Sequence, residues 1–252
     1  MKAASNRIGL RTAVLVAAVL AIVALPNSAS AQVEAKPAAT ELTIPEAQRR
    51  MEAQLQEPYR IAAAVVAADR PEAKTIANVG AFQGQFLAAF LDRFPNAKGE
   101  YAEPATSSNP HIARKRLAKY GDRVSYMVGC ASRDVSEGCV SKDSDVIVVE
   151  WLSIHQNLDG MYRVYRAAAG QLPPGGWFVT LDHVTFGGTA WEEWFKKAST
   201  EFRPAQEGPG LHHADYRVPT LEEQLGAMRA AGFDAEVVWQ SFNTVLFMGR
   251  KK

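Results

Sequence analysis

The amino-acid sequence predicts an α/β fold: a seven-stranded, mostly parallel sheet with crossover helices, an antiparallel last strand and an N-terminal helical cap. Three observations carry this expectation. From Lys74 onward, apolar runs of strand length alternate with amphipathic runs of helical length, as in parallel sheets. The last two strand-like runs are joined by only "SFN", too short for a parallel crossover, so they form an antiparallel hairpin. Upstream, helical runs closed by the Arg70-Pro71 break stand apart from the alternation.

The first 31 residues read as a secretory signal peptide. Lys2, Arg7 and Arg11 precede an uncharged apolar run from Thr12 to Leu25, and "SASAQ" places Ala29 and Ala31 in a small-x-small cleavage pattern. As a helix this run rises only about 21 Å, short of a bilayer core of roughly 30 Å, so no stable membrane span is expected after cleavage. Residues 32–42, rich in Ala, Pro, Glu and Lys, form a linker. Residues 43–70 form the helical cap. There "TIPE" offers a capping box between Thr43 and Glu46, a helix runs from about Pro45 to Gln56, Pro58 interrupts it, and "YRIAAAVVAAD" makes a second helix. Residues 71–252 form the main domain.

In that domain the strand candidates are 75–80, 99–103, 123–129, 145–151, 176–183, 235–240 and 244–249. The helical stretches between them include "GQFLAAFLDRF", "PHIARKRLAKYG" and "MYRVYRAAAGQL". A composition of 47% hydrophobic and 22% charged residues is ordinary for a globular chain. Removing residues 1–31 takes away three basic and no acidic side chains, leaving 25 basic against 27 acidic, a formal charge of −2. Nothing in that balance favours nucleic acid. Outside the cytosol, Cys130 and Cys139 become candidates for a disulfide closing ten residues after the third strand, the alternative being two buried thiols.

The order of several segments then carries a resemblance. "TIANVGAFQGQF", the acidic Glu103 after the second strand, "ARKRLAKYGDRVSY", "DVIVVEWLSIHQNLDG", "LPPGGWFVTLDH" and "PTLEEQLGAMRAAGFDAEVV" together resemble the class I S-adenosylmethionine-dependent methyltransferases over about Tyr59 to Gly249. The resemblance implies a Rossmann-like seven-stranded sheet with its final strand antiparallel. It also implies a cofactor, S-adenosylmethionine, passing over the first loop, with Gly80 and Gly84 at that loop's outer positions. Phe82 replaces the middle glycine and Asn78 the acidic residue two places before the first one. Glu103 matches the carboxylate that takes the ribose hydroxyls, and Cys130 replaces the acidic acceptor of the adenine amine. Glu150, Trp151 and His155 follow the fourth strand, where the family places cofactor and substrate contacts.

Each match has a plain alternative. Gly80 and Gly84 also suit ordinary strand and helix ends, Glu103 a solvated strand end, and the Phe82 ring either the core or the cofactor volume. His155 suits a general base acting with Glu150, or a structural role. The pairs Asp182 and His183, and His212 and His213 with Asp215, do not have metal-ligand spacing, so no metal is expected. "TAWEEWFKKASTEF" reads as a core-packed helix or as a substrate-covering lid with Trp191, Trp194, Phe195 and Phe202 inward. The expected function is methyl transfer to a small molecule by an exported, periplasmic or secreted protein. The alternatives are a ligand-binding module on the same fold and a cofactor-independent enzyme reusing the cleft.

Overall fold

The computed structural model describes residues 46–136, 138–202 and 217–252 of the chain. Its strands are β1 (Thr75–Val79), β2 (Lys98–Glu103), β3 (Val124–Val128), β4 (Val146–Glu150), β5 (Trp177–His183), β6 (Phe233–Ser241) and β7 (Thr244–Lys251). They form one sheet in the order β3-β2-β1-β4-β5-β7-β6. Every pairing from β3 across to β5 is parallel, and β7 runs antiparallel between β5 and β6. All seven expected strands are present within a residue or two of their expected bounds, and Phe242, at φ 52°, turns the hairpin between the last two.

The helices are α1 (Glu46–Asp69), α2 (Gln85–Arg93), α3 (Asn109–Leu117), α4 (Leu152–His155), α5 (Leu158–Gln171), α6 (Ala190–Phe202) and α7 (Leu221–Ala230). Two of the layers follow from strand alternation. Ile76, Val146, Val148, Val179 and Leu181 join one core with Tyr59, Ala63 and Val66 of α1 and Phe86 and Phe90 of α2. Ala77, Val79, Ile147, Val149 and Phe178 join the other with Met161 and Tyr165 of α5 and Met228 of α7. A central strand buried on both faces must be apolar at every position, which is why "VIVV" is unbroken.

The N-terminal segment departs from expectation. α1 is one helix of 24 residues that runs through Pro58 without interruption. An interior proline removes an amide donor and crowds the preceding turn, a cost of roughly 3 kcal/mol in isolation. Here Pro58 is itself buried, and Tyr59, Ala62, Ala63 and Val66 bury the same helical stripe against the sheet and α2. Burial of several such side chains outweighs that cost. Ion pairs pin the end of α1: Arg70 to Asp145 at 2.6 Å, and Asp69 to Arg250 at 2.8 Å.

The sheet order reverses between β1 and β4, whose flanking connections leave in opposite directions. In open α/β sheets the crevice outside the carboxyl ends of such strands is where ligands sit.

Candidate functional site

β1 ends at Val79 and the chain turns at once through Gly80 to Gly84 into α2. Gly80 has φ 62°, a left-handed conformation, and a Cβ there would lie 2.6 Å from Cβ of Ser132. Only glycine meets both conditions. Gly84, at φ 77°, caps α2, and its amide donates to the Ala81 carbonyl at 2.8 Å. Phe82 also lies at positive φ, 50°, which is strained for a bulky residue. Two bonds hold it there: its amide donates to Glu103 Oε2 at 3.0 Å, and its carbonyl accepts from the Tyr101 hydroxyl. The half-buried ring packs against the α1 and α2 core and also lines the cleft.

Glu103 closes β2 and is only 4% exposed. Oε2 takes the Phe82 amide and Oε1 takes Asn109 Nδ2 at 2.9 Å. Burial raises its pKa, opposed by the hydrogen bonds from Asn109, Ser107 and Phe82. A carboxylate has about four acceptor positions, so beside Asn109, Ser107 and Phe82 a further donor can be accommodated.

The wall opposite the first loop follows β3. Cys130 and Cys139 are joined by a disulfide, Cα to Cα 5.8 Å, rather than standing as two buried thiols. Within the loop so closed, Asp134 Oδ2 accepts the Ala131 amide at 2.8 Å, and Val135 is fully buried. The loop presents Ala131, Ser132 and Arg133 to the cleft. The cleft itself has a volume of about 220 Å³ and is bounded further by Gly80, Phe82, Glu103 and Pro104, and by Glu150, His155 and Gln156. A second hollow of about 190 Å³ lies beside Asn157, Asp159, Arg217 and Glu223. Arg217 is already paired there with Glu223, at 2.7 Å, which makes it the poorer candidate.

Glu150 forms the floor. It is 3% exposed, its Oε2 accepts the Tyr59 hydroxyl of α1 at 2.9 Å, and its Oε1 has no hydrogen-bond partner. Burial pushes its pKa up to about 8, opposed by the Tyr59 hydroxyl and the Asn78 amide and reinforced by the charge of Glu103. Asn78 is fully buried below it, donates weakly to the Val148 carbonyl at 3.4 Å, and has an unpartnered Oδ1. After β4 the chain passes through Trp151, at φ 58°, into the single turn α4. Asp182 of β5 holds that turn: it accepts the Ser153 amide at 3.0 Å, the Ser153 hydroxyl and the His183 amide at 2.7 Å. Burial pushes Asp182 up to about 7 despite these donors. The turn delivers His155 to the cleft wall, where it is exposed.

The sequence-derived site residues therefore divide. Gly80, Phe82, Glu103, Glu150 and His155 come together around one cleft. Asn78, Gly84, Cys130 and Trp151 lie behind it: Asn78 under the floor, Gly84 against Leu117, Cys130 in the disulfide, and Trp151 buried with its ring 4.8 Å from that of His183. His212, His213 and Asp215 fall outside the described residues, as do residues 1–45 with their expected leader, linker and capping box. No group of metal-ligating side chains gathers among the described residues. On α6, Phe195 turns inward onto Phe186 and Phe242, while Trp191 and Trp194 are more than half exposed, so neither uniform core packing nor a uniformly inward aromatic face describes the helix. Sequence reasoning missed Tyr59 and Ser132, and weighed Asp182 only as a metal ligand. An in-phase apolar stripe across Pro58 was the available signal for the first; the second had none.

No family model matches the sequence, and no curated protein matches it in sequence. Solved structures do match its fold. A candidate O-methyltransferase from Nostoc punctiforme superposes with a TM-score of 0.61 at 16% identity, covering 81% of this chain and 59% of its own. An O-methyltransferase family protein from Burkholderia thailandensis gives 0.56 at 17%, covering 81% and 60%. A candidate exported protein from Bordetella parapertussis gives 0.58 at 16%, covering 79% and 67%. The fold is thus the class I methyltransferase-like one, Rossmann-like α/β. The chain spans about three fifths of the length of the two O-methyltransferases it matches.

Proposed function

We propose that this chain binds S-adenosylmethionine in the cleft and transfers its methyl group to a small molecule outside the cytosol. The observation that carries the reading is Glu103: a carboxylate fixed by Phe82 and Asn109 at the end of β2, facing the cleft, with acceptor capacity to spare. A ribose hydroxyl is a donor suited to that capacity. Gly80 keeps side-chain bulk off the turn beside it. The cofactor, when bound, supplies an electrophilic methyl group on a sulfonium.

The chain's own part is then positioning and proton handling. Phe82, Ser132 and Pro104 exclude water from the cleft walls. His155 stands on the wall as the base for a hydroxyl or amine acceptor, a role its intrinsic acidity suits. At the adenine end the position of the family's acidic acceptor is held by Cys130, a disulfide-bonded cysteine that supplies no carboxylate. A cleft of 220 Å³ encloses only part of such a ligand, since whole-ligand pockets run from about 300 Å³ upward.

Export is part of the proposal. The charged and apolar leader supports it, and so does the Cys130–Cys139 bond, which persists in oxidising compartments. Protein recovered from a secreting host should begin at Gln32; intact Met1 in the membrane fraction would overturn this.

Titration calorimetry with S-adenosylmethionine and its demethylated product tests the binding step. Micromolar affinity is expected, weakened in Glu103→Ala by about 1.5 to 3 kcal/mol, the worth of hydrogen bonds to a charged group. Absence of heat with either ligand would defeat the reading. Phe82 and Cys130 favour a second one, a binding module that transfers nothing. Binding without methyl transfer to any acceptor in a metabolite mixture would select it.

A further inference from the structure

The wall after β3 is built unlike the other parallel connections of the sheet. Helices follow β1, β2 and β4, but among the described residues 129–145 carry none between β3 and β4. Short local bonds order this segment instead: the Ala131 amide to Asp134, the Asp134 amide to the Ala131 carbonyl at 2.8 Å, and the Cys139 and Val140 amides to the Ser136 carbonyl at 3.0 Å. Bonds to β2 stand at its two ends, where the Gly129 amide donates to the Glu103 carbonyl and the Ser141 amide to the Glu100 carboxylate, each at 2.9 Å. Between those points the disulfide is the covalent tie, with Val135 and Val140 buried beneath it.

That tie bears directly on the cleft. Cys130 is followed at once by Ala131, Ser132 and Arg133, the residues that the segment contributes to the cleft lining. Ser132 is buried and sits against Gly80, so near that a Cβ on that glycine would fall 2.6 Å from its own. The first loop and this wall therefore meet, and the cleft keeps both sides only while Ser132 stays in place. In the chain-entropy model, tying the ends of ten residues favours the closed segment by a factor on the order of a hundred. With the tie cut, Val135 and Val140 are left to anchor the segment against the freedom it regains.

We propose that the Cys130–Cys139 bond is a redox switch on the cleft: oxidised, it holds the wall on Gly80 and completes the site; reduced, it lets the wall come away and ligand affinity falls. For the identity of the ligand the switch rests on the cofactor reading, to which it adds regulation by compartment. Closing it removes two protons and two electrons from the two thiols; a disulfide-carrying protein of the exporting compartment takes them and becomes a dithiol. A small dithiol reverses the exchange and itself closes to a disulfide, attacking at Cys139, which is half-buried where Cys130 is buried. A chain still in a thiol-rich compartment is thus kept from drawing on ligand there.

The test compares protein carrying the bond with the same protein reduced by dithiothreitol and desalted without air. In calorimetry, S-adenosylhomocysteine should bind the reduced form about tenfold or more weakly, and reoxidation should restore the affinity. Trypsin reads the wall without any ligand: cleavage after Arg133, whose side chain is 66% exposed, should quicken about tenfold or more on reduction while circular dichroism stays unchanged. Cys139→Ser should match the reduced form in both measurements and be indifferent to dithiothreitol. Equal affinity of the two forms would overturn the switch and leave the cofactor reading standing, whatever the cleavage rates. Collapse of the circular dichroism on reduction would make the bond a general staple and overturn the switch too. Silence of S-adenosylhomocysteine with both forms would overturn the cofactor reading; equal cleavage rates would then overturn the switch as well, and a faster cut in the reduced form would uphold it. Reduction of the unmodified protein decides the matter even where the variant does not fold.

Discussion

Glu150 and Asp182 stand at the carboxyl ends of neighbouring strands, on opposite faces of the sheet, and both are almost wholly shielded from water. Burial pushes both upward, Glu150 to about 8 and Asp182 to about 7. Their surroundings differ. Asp182 takes the amide and hydroxyl of Ser153 and the amide of His183, so its lone pairs are occupied by the chain that turns around it. Glu150 takes one hydroxyl and leaves an oxygen bare. Two carboxyls with the same burial thus do different work. One fixes a turn of backbone; the other is an incomplete position facing a cleft.

The largest test of that contrast is stability. Asp182→Ala leaves two amides and a hydroxyl without acceptors and should cost on the order of 3 kcal/mol or more in denaturant unfolding. Glu150→Gln keeps the shape and the Tyr59 bond, gives Asn78 a donor, and should change stability by less than about 1 kcal/mol. Equal losses would erase the distinction.

Acidity gives a second, smaller handle. Unfolded carboxyls titrate near pH 4, so between there and 7 to 8 the folded chain holds protons that the unfolded chain has released. Stability from these two groups is complete below about pH 4 and is lost as pH rises, by at most about 1.4 kcal/mol per unit for each carboxyl. Asp69 and Glu223, whose ion pairs hold them low, act only on the acid side of that window. Unfolding midpoints should therefore fall from pH 5 to pH 8, and Glu150→Gln should flatten the part between 7 and 8. A slope unchanged in that variant would place the proton elsewhere.

The smallest expected effect belongs to Tyr59→Phe. It removes the Tyr59 hydrogen bond to Glu150 but keeps the ring stacked on Phe86 at 4.2 Å, so about 1 kcal/mol is expected from thermal melts. A loss rivalling that of Asp182→Ala would mean that Glu150 too is mainly structural.

Much of the fold was legible because the sheet is central and buried. Runs such as "VIVVE" have no other use, and the "SFN" connection leaves its strands only one relative direction. The helix through Pro58 was not legible from local preference, since the packing of Tyr59 and Val66 that overrides the proline belongs to α2 and the sheet. At the site, Gly80, Phe82 and Glu103 were picked out by order along the chain, and the Phe82 amide donates to Glu103. Ser132 against Gly80, Tyr59 under Glu150 and Asp182 behind Ser153 join segments 29 to 91 residues apart in sequence. Only the topology brings such residues together, and no local pattern announces them.

The stitching of α1 to the sheet also sets a timetable. Glu57 is bonded to Trp239 across 182 residues, and Asp69 to Arg250 across 181. Both partners lie in β6 and β7, the last strands of the chain, and β7 completes the sheet by inserting between β5 and β6. A helix near the start therefore waits for the chain's final residues before its latches close. Contacts of such long sequence separation slow folding, because a large loop must be closed before they reward it. The cleft floor, by contrast, needs only Tyr59 of α1 against Phe86 and Glu150, and does not depend on those late latches.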